Sequence, residues 1–439
     1  MEWIDVKFSD FLKERKGRYK PNDESIKDLK RIEKIDFSGQ IYLSDKPSKT
    51  DMILVKDGDL VISGINVEKG AMNIFHGEED VVATIHYSSY TYDANVIELQ
   101  FLKHFLKSKK FKDVLKEQVP GGIKTEIKPK HLLPLEIQIP KSLDEQRNVV
   151  NHLDELYESL NNLSTEITHQ LNIIKDLRQA YLREAMQGLL VSNETSDNKT
   201  GANLLAHIQA EKAQLVKEKK IKKGKLQEAE TLEELIFDIP ENWKWATLDD
   251  LTLYITDGTH QTPNYTDKGR IFLSAQNVKP FKFMPENHKY VSQEDYESYI
   301  NNRLAEKGDL LVARVGAGIG ETAVIDRDIE FAFYVSLGLV KPFKNQLSSE
   351  FLAYVFNSPY GVKYAKGNIS SKGGSAGNFN LGRIRSFLIP LPPLEIQERI
   401  VAKLDELMGY CDALETQVKQ SQQTNALLLQ QVLREALGA

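Results

Sequence analysis

Leu153-Asp154-Glu155-Leu156 and Leu404-Asp405-Glu406-Leu407 are the same four residues 251 positions apart, and Leu182-Arg183-Glu184-Ala185 returns at that offset as Leu433-Arg434-Glu435-Ala436. Around these anchors, residues 144–187 and 395–438 form two copies of one stretch. Steps of four and three through the first copy pick out Val149, Leu153, Leu156, Leu160, Leu163, Ile167, Gln170, Ile174, Leu177 and Tyr181, with Gln170 the single polar member. That spacing is the seam of a coiled coil. Neither proline nor glycine interrupts the first copy, so it predicts an unbroken helix of about 65 Å at 1.5 Å per residue. The second seam runs Ile400, Leu404, Leu407, Cys411, Leu414, Val418, Ser421, Asn425, Leu428 and Val432, with Gly409 off the seam. Gln170 and Ser421 share a repeat position, where a polar layer fixes register or a frayed stretch opens.

Outside the helices the chain also repeats. Lys307-Gly308-Asp309-Leu310-Leu311-Val312 echoes Asp57-Gly58-Asp59-Leu60-Val61-Ile62, and a glycine-bearing stretch followed by an extended run precedes each long helix. The predicted organisation is globular unit 1–140, helical spacer 141–188, charged linker 189–235, globular unit 236–391 and helical spacer 392–439. The fold class is α+β: two α/β units separated by two long helices packed as an intramolecular antiparallel coiled coil. In the first unit, Met52–Val55 and Asp59–Ile62 flank the turn Lys56-Asp57-Gly58 and read as a hairpin, Asn95–Leu99 as a strand and Leu102–Glu117 as a helix. In the second, a helical pattern runs from Ser349 to Lys366 with a break near Pro359. The polar run Ser192–Gly201 reads as disordered, and residues 203–218 as a helix.

A chain of 439 residues has ample length for two cores. Its lone cysteine, Cys411, lies on the seam, forms no intramolecular disulfide and fits a reducing cytoplasm. No run of about 18 apolar residues exists and the start is acidic, so neither export nor membrane insertion is expected. The net charge of −6 is unevenly distributed: residues 1–140 carry 23 basic and 23 acidic side chains and residues 236–394 carry 17 of each, whereas 144–187 carry 4 against 8 and 395–439 carry 4 against 7. Acidic rods are poor surfaces for a polyanion, so any nucleic acid must meet the globular units. The lysine cluster Lys217–Lys225 is read as a solvated linker, because Glu228, Glu230, Glu233 and Glu234 follow it.

Catalytic motifs are missing from the sequence. Gly316-Ala317-Gly318-Ile319-Gly320 has Glu321 where a dinucleotide fingerprint needs glycine, and is read as a strand turn. Asn357-Ser358-Pro359-Tyr360 approaches the Asn-Pro-Pro-Tyr tetrapeptide of amino-methyltransferases, but Ser358 replaces its first proline. No G-x-x-x-x-G-K-[ST] phosphate loop is present, and no histidine spacing suits zinc.

What remains are loops rich in small, polar and basic residues. Gln, Asn and Arg can read base edges through paired hydrogen bonds; Lys, Ser, Thr and glycine amides suit phosphates. The candidates in the second unit are Thr256, Asp257, Thr259, His260, Gln261, Gln276, Asn277, Arg314, Lys372 and Ser375. Those in the first are Arg15, Lys16, Arg18, Tyr19, Gly122 and Lys124.

With Ile255–His260, Phe272–Val278, Lys307–Leu311, Arg314-Val315-Gly316, Ile389-Pro390-Leu391-Pro392-Pro393-Leu394-Glu395-Ile396-Gln397 and Ile400–Leu407, the chain resembles the DNA-specificity subunits of type I restriction-modification systems. The first unit departs from the pattern at Ile139-Pro140-Lys141-Ser142. The resemblance implies a non-catalytic, cytoplasmic reader of a bipartite site in double-stranded DNA. Its partners would be methyltransferase (M) subunits and a restriction (R) motor-nuclease subunit. It implies no cofactor in this chain; S-adenosylmethionine, ATP and Mg would belong to the partners. Two rivals stand beside it: a single-chain restriction-methyltransferase fusion with an unrecognised catalytic part, and a coiled-coil scaffold that touches no DNA.

Overall fold

A computed structural model describes residues 2–118, 126–197, 199–222, 237–301, 303–370 and 377–436. It is mixed α/β, with two compact units: residues 1–170 with 417–439, and residues 171–416. The two long helices, Leu143–Met186 and Leu394–Ala436, therefore each contribute to both units.

Within the first unit, four antiparallel strands run in the order Leu12–Glu14, Tyr87–Tyr92, Leu60–Ser63, Met72–Ile74. A second sheet runs Ile41–Ser44, Arg31–Ile35, Val81–Thr84, Met52–Val55, with Arg31 and Val82 in parallel register. The ribbon Trp3–Lys7 with Glu136–Pro140 delivers the chain to the first long helix. The second unit repeats this plan. Its central sheet is Thr252–Asp257, Leu337–Pro342, Leu310–Ala313, Thr322–Val324, and its outer sheet is Tyr265–Thr266, Lys289–Val291, Arg270–Leu273, Phe331–Phe333, the last two parallel. Lys244–Thr247 with Leu388–Leu391 is its delivering ribbon. The central strands are fully buried, Leu60 and Val61 in one unit and Leu310, Leu311 and Val312 in the other, which is why they read as continuous apolar runs.

The turn that the two units share behaves differently from a hairpin. Met52–Val55 and Leu60–Ser63 pair with different partners in different sheets. Gly58 and Gly308 adopt φ +78° and +83°, a left-handed conformation that glycine takes at little cost. The next residue turns its carboxylate inward: Asp59 accepts from the Lys56 amide at 2.9 Å and Asp309 from the Glu306 amide at 2.9 Å. The polar bracket redirects the chain between sheets. Asn95–Leu99 is also not a strand; it is a turn that buries Ile97 and places Glu98 as N-cap of the helix Leu99–Lys107. Ser108 ends that helix and its hydroxyl accepts from the Phe111 amide, so a second helix, Lys109–Gln118, starts afresh. In the second unit the matching pair is Ser349–Asn357 and Pro359–Gly367, broken where the sequence predicts.

The duplicated glutamine of each long helix is a clamp. Gln146 and Gln397 are fully buried. Gln146 donates to the carbonyls of Val96 and Pro140 and accepts from the Glu98 amide. Gln397 donates to Pro392 and accepts from the Ser348 amide. Each ties the first turn of a long helix to the N-cap of the first of its unit's paired helices, Leu99–Lys107 or Ser349–Asn357. About two turns further, Asp154 meets His104 and Asp405 meets the Tyr354 hydroxyl, again at equivalent positions.

Along the predicted seam Leu160, Ile167, Ile174 and Cys411 are buried, while Val149, Leu153, Ile400 and Leu404 are buried in their units' cores. Leu163 and Leu414, predicted seam members, are each 45 % exposed, and Gln170 and Ser421 are exposed. In the second unit Arg178 pairs with Asp412 at 2.7 Å and Glu415 at 2.9 Å; in the first the Asn425 amide donates to the Leu160 carbonyl at 3.3 Å.

The polar run predicted as disordered is a strap on the second unit. Asn193 donates to the Gly188 carbonyl and accepts from the Trp243 indole and the Asn242 amide. Thr200 then caps the helix Gly201–Lys217, which buries Ile208 in the core and pairs Lys212 with Asp249. Composition suggested disorder because the anchors of the strap, Asn193 with Trp243 and Ser196 with Glu395, join residues distant in sequence.

Candidate nucleic-acid interface

In the second unit the candidate loops meet at one end of the central sheet. Asp257 ends its first strand, and Arg314 follows the strand Leu310–Ala313. The Arg314 guanidinium donates from Nη1 to Asp257 Oδ2 at 2.6 Å and the Val335 carbonyl at 2.9 Å, and from Nε to the Phe379 carbonyl at 3.1 Å. Asp257 also meets His260 Nε2 at 3.1 Å. The Val335 amide donates to the Thr259 carbonyl, and Ser336 Oγ accepts from the Ala275 amide at 3.1 Å. The segments 256–261, 274–277 and 314–316 are thus joined through the turn Tyr334-Val335-Ser336.

The candidates separate by exposure. His260, Gln261 and Gln276 are exposed, and Thr256 is half-buried. Thr259 is buried, its hydroxyl accepting from the Gln261 amide. Asn277 is fully buried: its carbonyl oxygen accepts from the Ser274 amide, and its NH2 donates to Met284 and Asn287. Its amide closes a loop, which corrects the expectation of a base-edge reader. Arg314 is 4 % exposed. Burial pushes its guanidinium below the ordinary arginine pKa, against the opposing pull of Asp257. The same correction applies to it: those donors are turned inward. Lys372 and Ser375 lie outside the described residues.

In the first unit Arg15 is half-buried, with Lys16 and Arg18 exposed beside it. Arg15 makes a two-pronged pair with Asp59, Nε to Oδ2 at 2.5 Å and Nη2 to Oδ1 at 2.6 Å. The Ser89 hydroxyl donates to the same carboxylate at 2.7 Å. Tyr19 is held by its backbone, pairing both ways with Met52. A cleft of about 290 Å3 is lined by Arg15, Lys16, Arg18, Ser88, Glu126 and Lys128. Gly122 and Lys124 lie outside the described residues, but residues 126–128, which follow them, line this cleft.

Sequence reasoning missed Ser88-Ser89 and Val335-Ser336, which supply the hydrogen bonds beneath both clusters. The available signal was small polar residues beside Tyr87 and Tyr334 in otherwise apolar strand-forming runs. The glycine-rich 316–320 is a turn between the strands Leu310–Ala313 and Thr322–Val324. Asn357 spends its amide on the backbone of Thr322 and Ala353. Among the described residues no group of His, Cys, Asp and Glu could hold a metal ion, and no helix is long and apolar enough to cross a membrane.

Residues 240–422 match the family model described as type I restriction modification DNA specificity domain. The specificity subunit of the Escherichia coli type I restriction enzyme EcoAI is 28 % identical over 279 residues, 59 % of this chain and 44 % of that protein. The StySPI specificity subunit of Salmonella potsdam is 24 % identical over 350 residues, 77 % of this chain and 65 % of that protein. The chain spans less than two thirds of these relatives' length. Among solved structures, the HsdS subunit of Thermoanaerobacter tengcongensis aligns with TM-score 0.58 and 18 % identity over 99 % of this chain and 96 % of its own. A chain from a study of complex assembly and conformational transition of the type I R-M system aligns with TM-score 0.68 and 16 % identity, covering 99 % and 97 %. At these identities the likeness is one of fold.

Proposed function

We propose, from the match of residues 240–422 to the type I restriction modification DNA specificity domain, that the chain belongs to that family and is the sequence-reading subunit of a type I restriction-modification system. In this reading each unit is a target-recognition domain contacting one half of a split site in double-stranded DNA. The chain does no chemistry. Methyltransferase subunits, which bring S-adenosylmethionine, and a motor-nuclease subunit, which uses ATP and Mg, assemble on it in the cytoplasm.

The observation that carries the reading is that two units of one topology both gather polar and basic loops at their central sheets. Arg15–Arg18 and Lys128 gather in one, and Thr256–Gln261 and Gln276 in the other. Charge-bearing and amide side chains on preformed loops suit phosphate anchoring and base-edge reading respectively. Lys16 and Arg18 are suited to phosphates, His260, Gln261 and Gln276 to base edges. Buried Asn277 and Arg314 shape the loops.

The long helices are proposed to pack antiparallel as a spacer. Supporting this, Arg178 reaches Asp412 and Glu415 within one unit while Asn425 reaches Leu160 within the other, so later residues of one helix meet earlier residues of its mate. Selection from a randomised duplex pool, titrated with salt, tests the function. The expected product is two short conserved blocks separated by a fixed gap. A single continuous block, or binding with no sequence preference at any salt, would overturn it.

A further inference from the structure

The Arg314 side chain is expensive where it sits. A buried guanidinium loses its hydration, and an apolar side chain of similar size would cost the fold less. The first unit shows that the fold does not require it. Gly64 stands at the equivalent position, one residue beyond the strand Leu60–Ser63, and its backbone makes the same two bonds. The Gly64 amide donates to the His86 carbonyl and the Arg314 amide to the Ser336 carbonyl, each at 2.9 Å; Ile127 donates to Gly64 and Phe379 to Arg314, each at 2.9 Å. A Cβ on Gly64 would lie 2.6 Å from the Ile127 carbonyl oxygen, so that unit has no room for any side chain there. Its root is held from another strand, by Arg15 and Asp59.

The forked donors of Arg314 reach three segments from one point: Asp257, Val335 and Phe379. From these segments hydrogen bonds lead toward two of the exposed candidate readers, His260 and Gln276. Asp257 meets the His260 ring at 3.1 Å, and Ser336, next to Val335, takes the Ala275 amide beside Gln276. Resting on the reading that this face binds DNA, we infer that Arg314 is a positioning residue: it sets the sequence preference of the second unit by fixing its loops against each other, without touching DNA.

The test uses the full chain as wild type, Arg314→Met and Asp257→Asn. Each is put through duplex-pool selection, salt titration and amide hydrogen exchange. Both variants are expected to keep one half-site unchanged and to blur several adjacent positions of the other. Affinity for the wild-type target should fall roughly 3- to 30-fold, the range for residues that act without contacting the ligand. The salt slope should match wild type. The Val335, Ala275 and Phe379 amides should exchange faster while the strand Leu337–Pro342 stays protected. A uniform loss on all sequences with a slope lowered by about one would mark a phosphate contact and overturn the inference. So would relaxation at one base pair with exchange unchanged, which marks direct reading, or loss of protection in Leu337–Pro342, which makes Arg314 a requirement of the fold. If wild type itself selects no half-sites, the DNA-reading proposal fails instead.

Discussion

Neighbouring residues of similar chemistry have opposite fates in the candidate interface, and Gln276 and Asn277 are the clearest pair. Gln276 is exposed, whereas Asn277 has both ends of its amide spent on its own loop. Gln276→Ala should leave urea stability unchanged and weaken binding at one base position by about 1–3 kcal/mol if the contact is bidentate. Asn277→Ala should do the reverse, costing about 1–3 kcal/mol in urea melts by stranding buried polar groups. Asp59 gives a pH signature. Burial pushes its carboxyl upward, but Arg15, the Lys56 amide and the Ser89 hydroxyl outweigh that and hold it below the ordinary aspartate value of 3.8. A depressed folded pKa stabilises above the unfolded value, and the contribution disappears as pH falls through the folded one. Wild type should therefore lose stability from about pH 5 downward. Arg15→Met should cost about 2–3 kcal/mol at pH 7. The gap should narrow as pH falls, because protonating Asp59 removes the unpaired buried charge from the variant and the ion pair from wild type. A gap that widens on acidification would show that the pair does not hold this site.

At the scale of elements, helix and helix-break signals were the most legible. The long helices, the break at Pro359 and the fully buried central strands follow from periodicity and from local chemistry. Seam depth did not: periodicity assigns both heptad rows to the interface, yet Ile167 is buried and Leu414 is 45 % exposed. Ile167→Ala should cost about 2–5 kcal/mol and Leu414→Ala within about 0.5 kcal/mol of nothing, by denaturant midpoint. Equal costs would restore a two-row seam. The Met52–Ile62 hairpin and the disordered strap were misread for one reason. A glycine turn followed by an inward carboxylate, and a polar run with distant partners, look like ordinary loops until the contacts across the chain are known.

For the whole molecule, the proposed function makes helix length a measurable quantity. Seven residues added to both long helices keep the heptad phase and lengthen each by about 10 Å at 1.5 Å per residue. Under that proposal the gap between the selected half-sites grows by roughly three base pairs at 3.4 Å each. The half-sites themselves should be unchanged, and a fixed gap after insertion would remove the spacer from the account. The duplication itself was written in the sequence, because the repeats Leu153–Leu156 and Leu404–Leu407 and the Gly-Asp turns at 58 and 308 keep their spacing. Periodicity and spacing are properties of neighbours along the chain, so sequence alone determines the helices, the repeated layout and the composition of the loops. Only tertiary structure decided which polar side chains are free to meet a ligand. A carbonyl such as that of Val335 or Phe379 has no side-chain identity to read, and it becomes a partner for Arg314 only when folding brings it within hydrogen-bond reach.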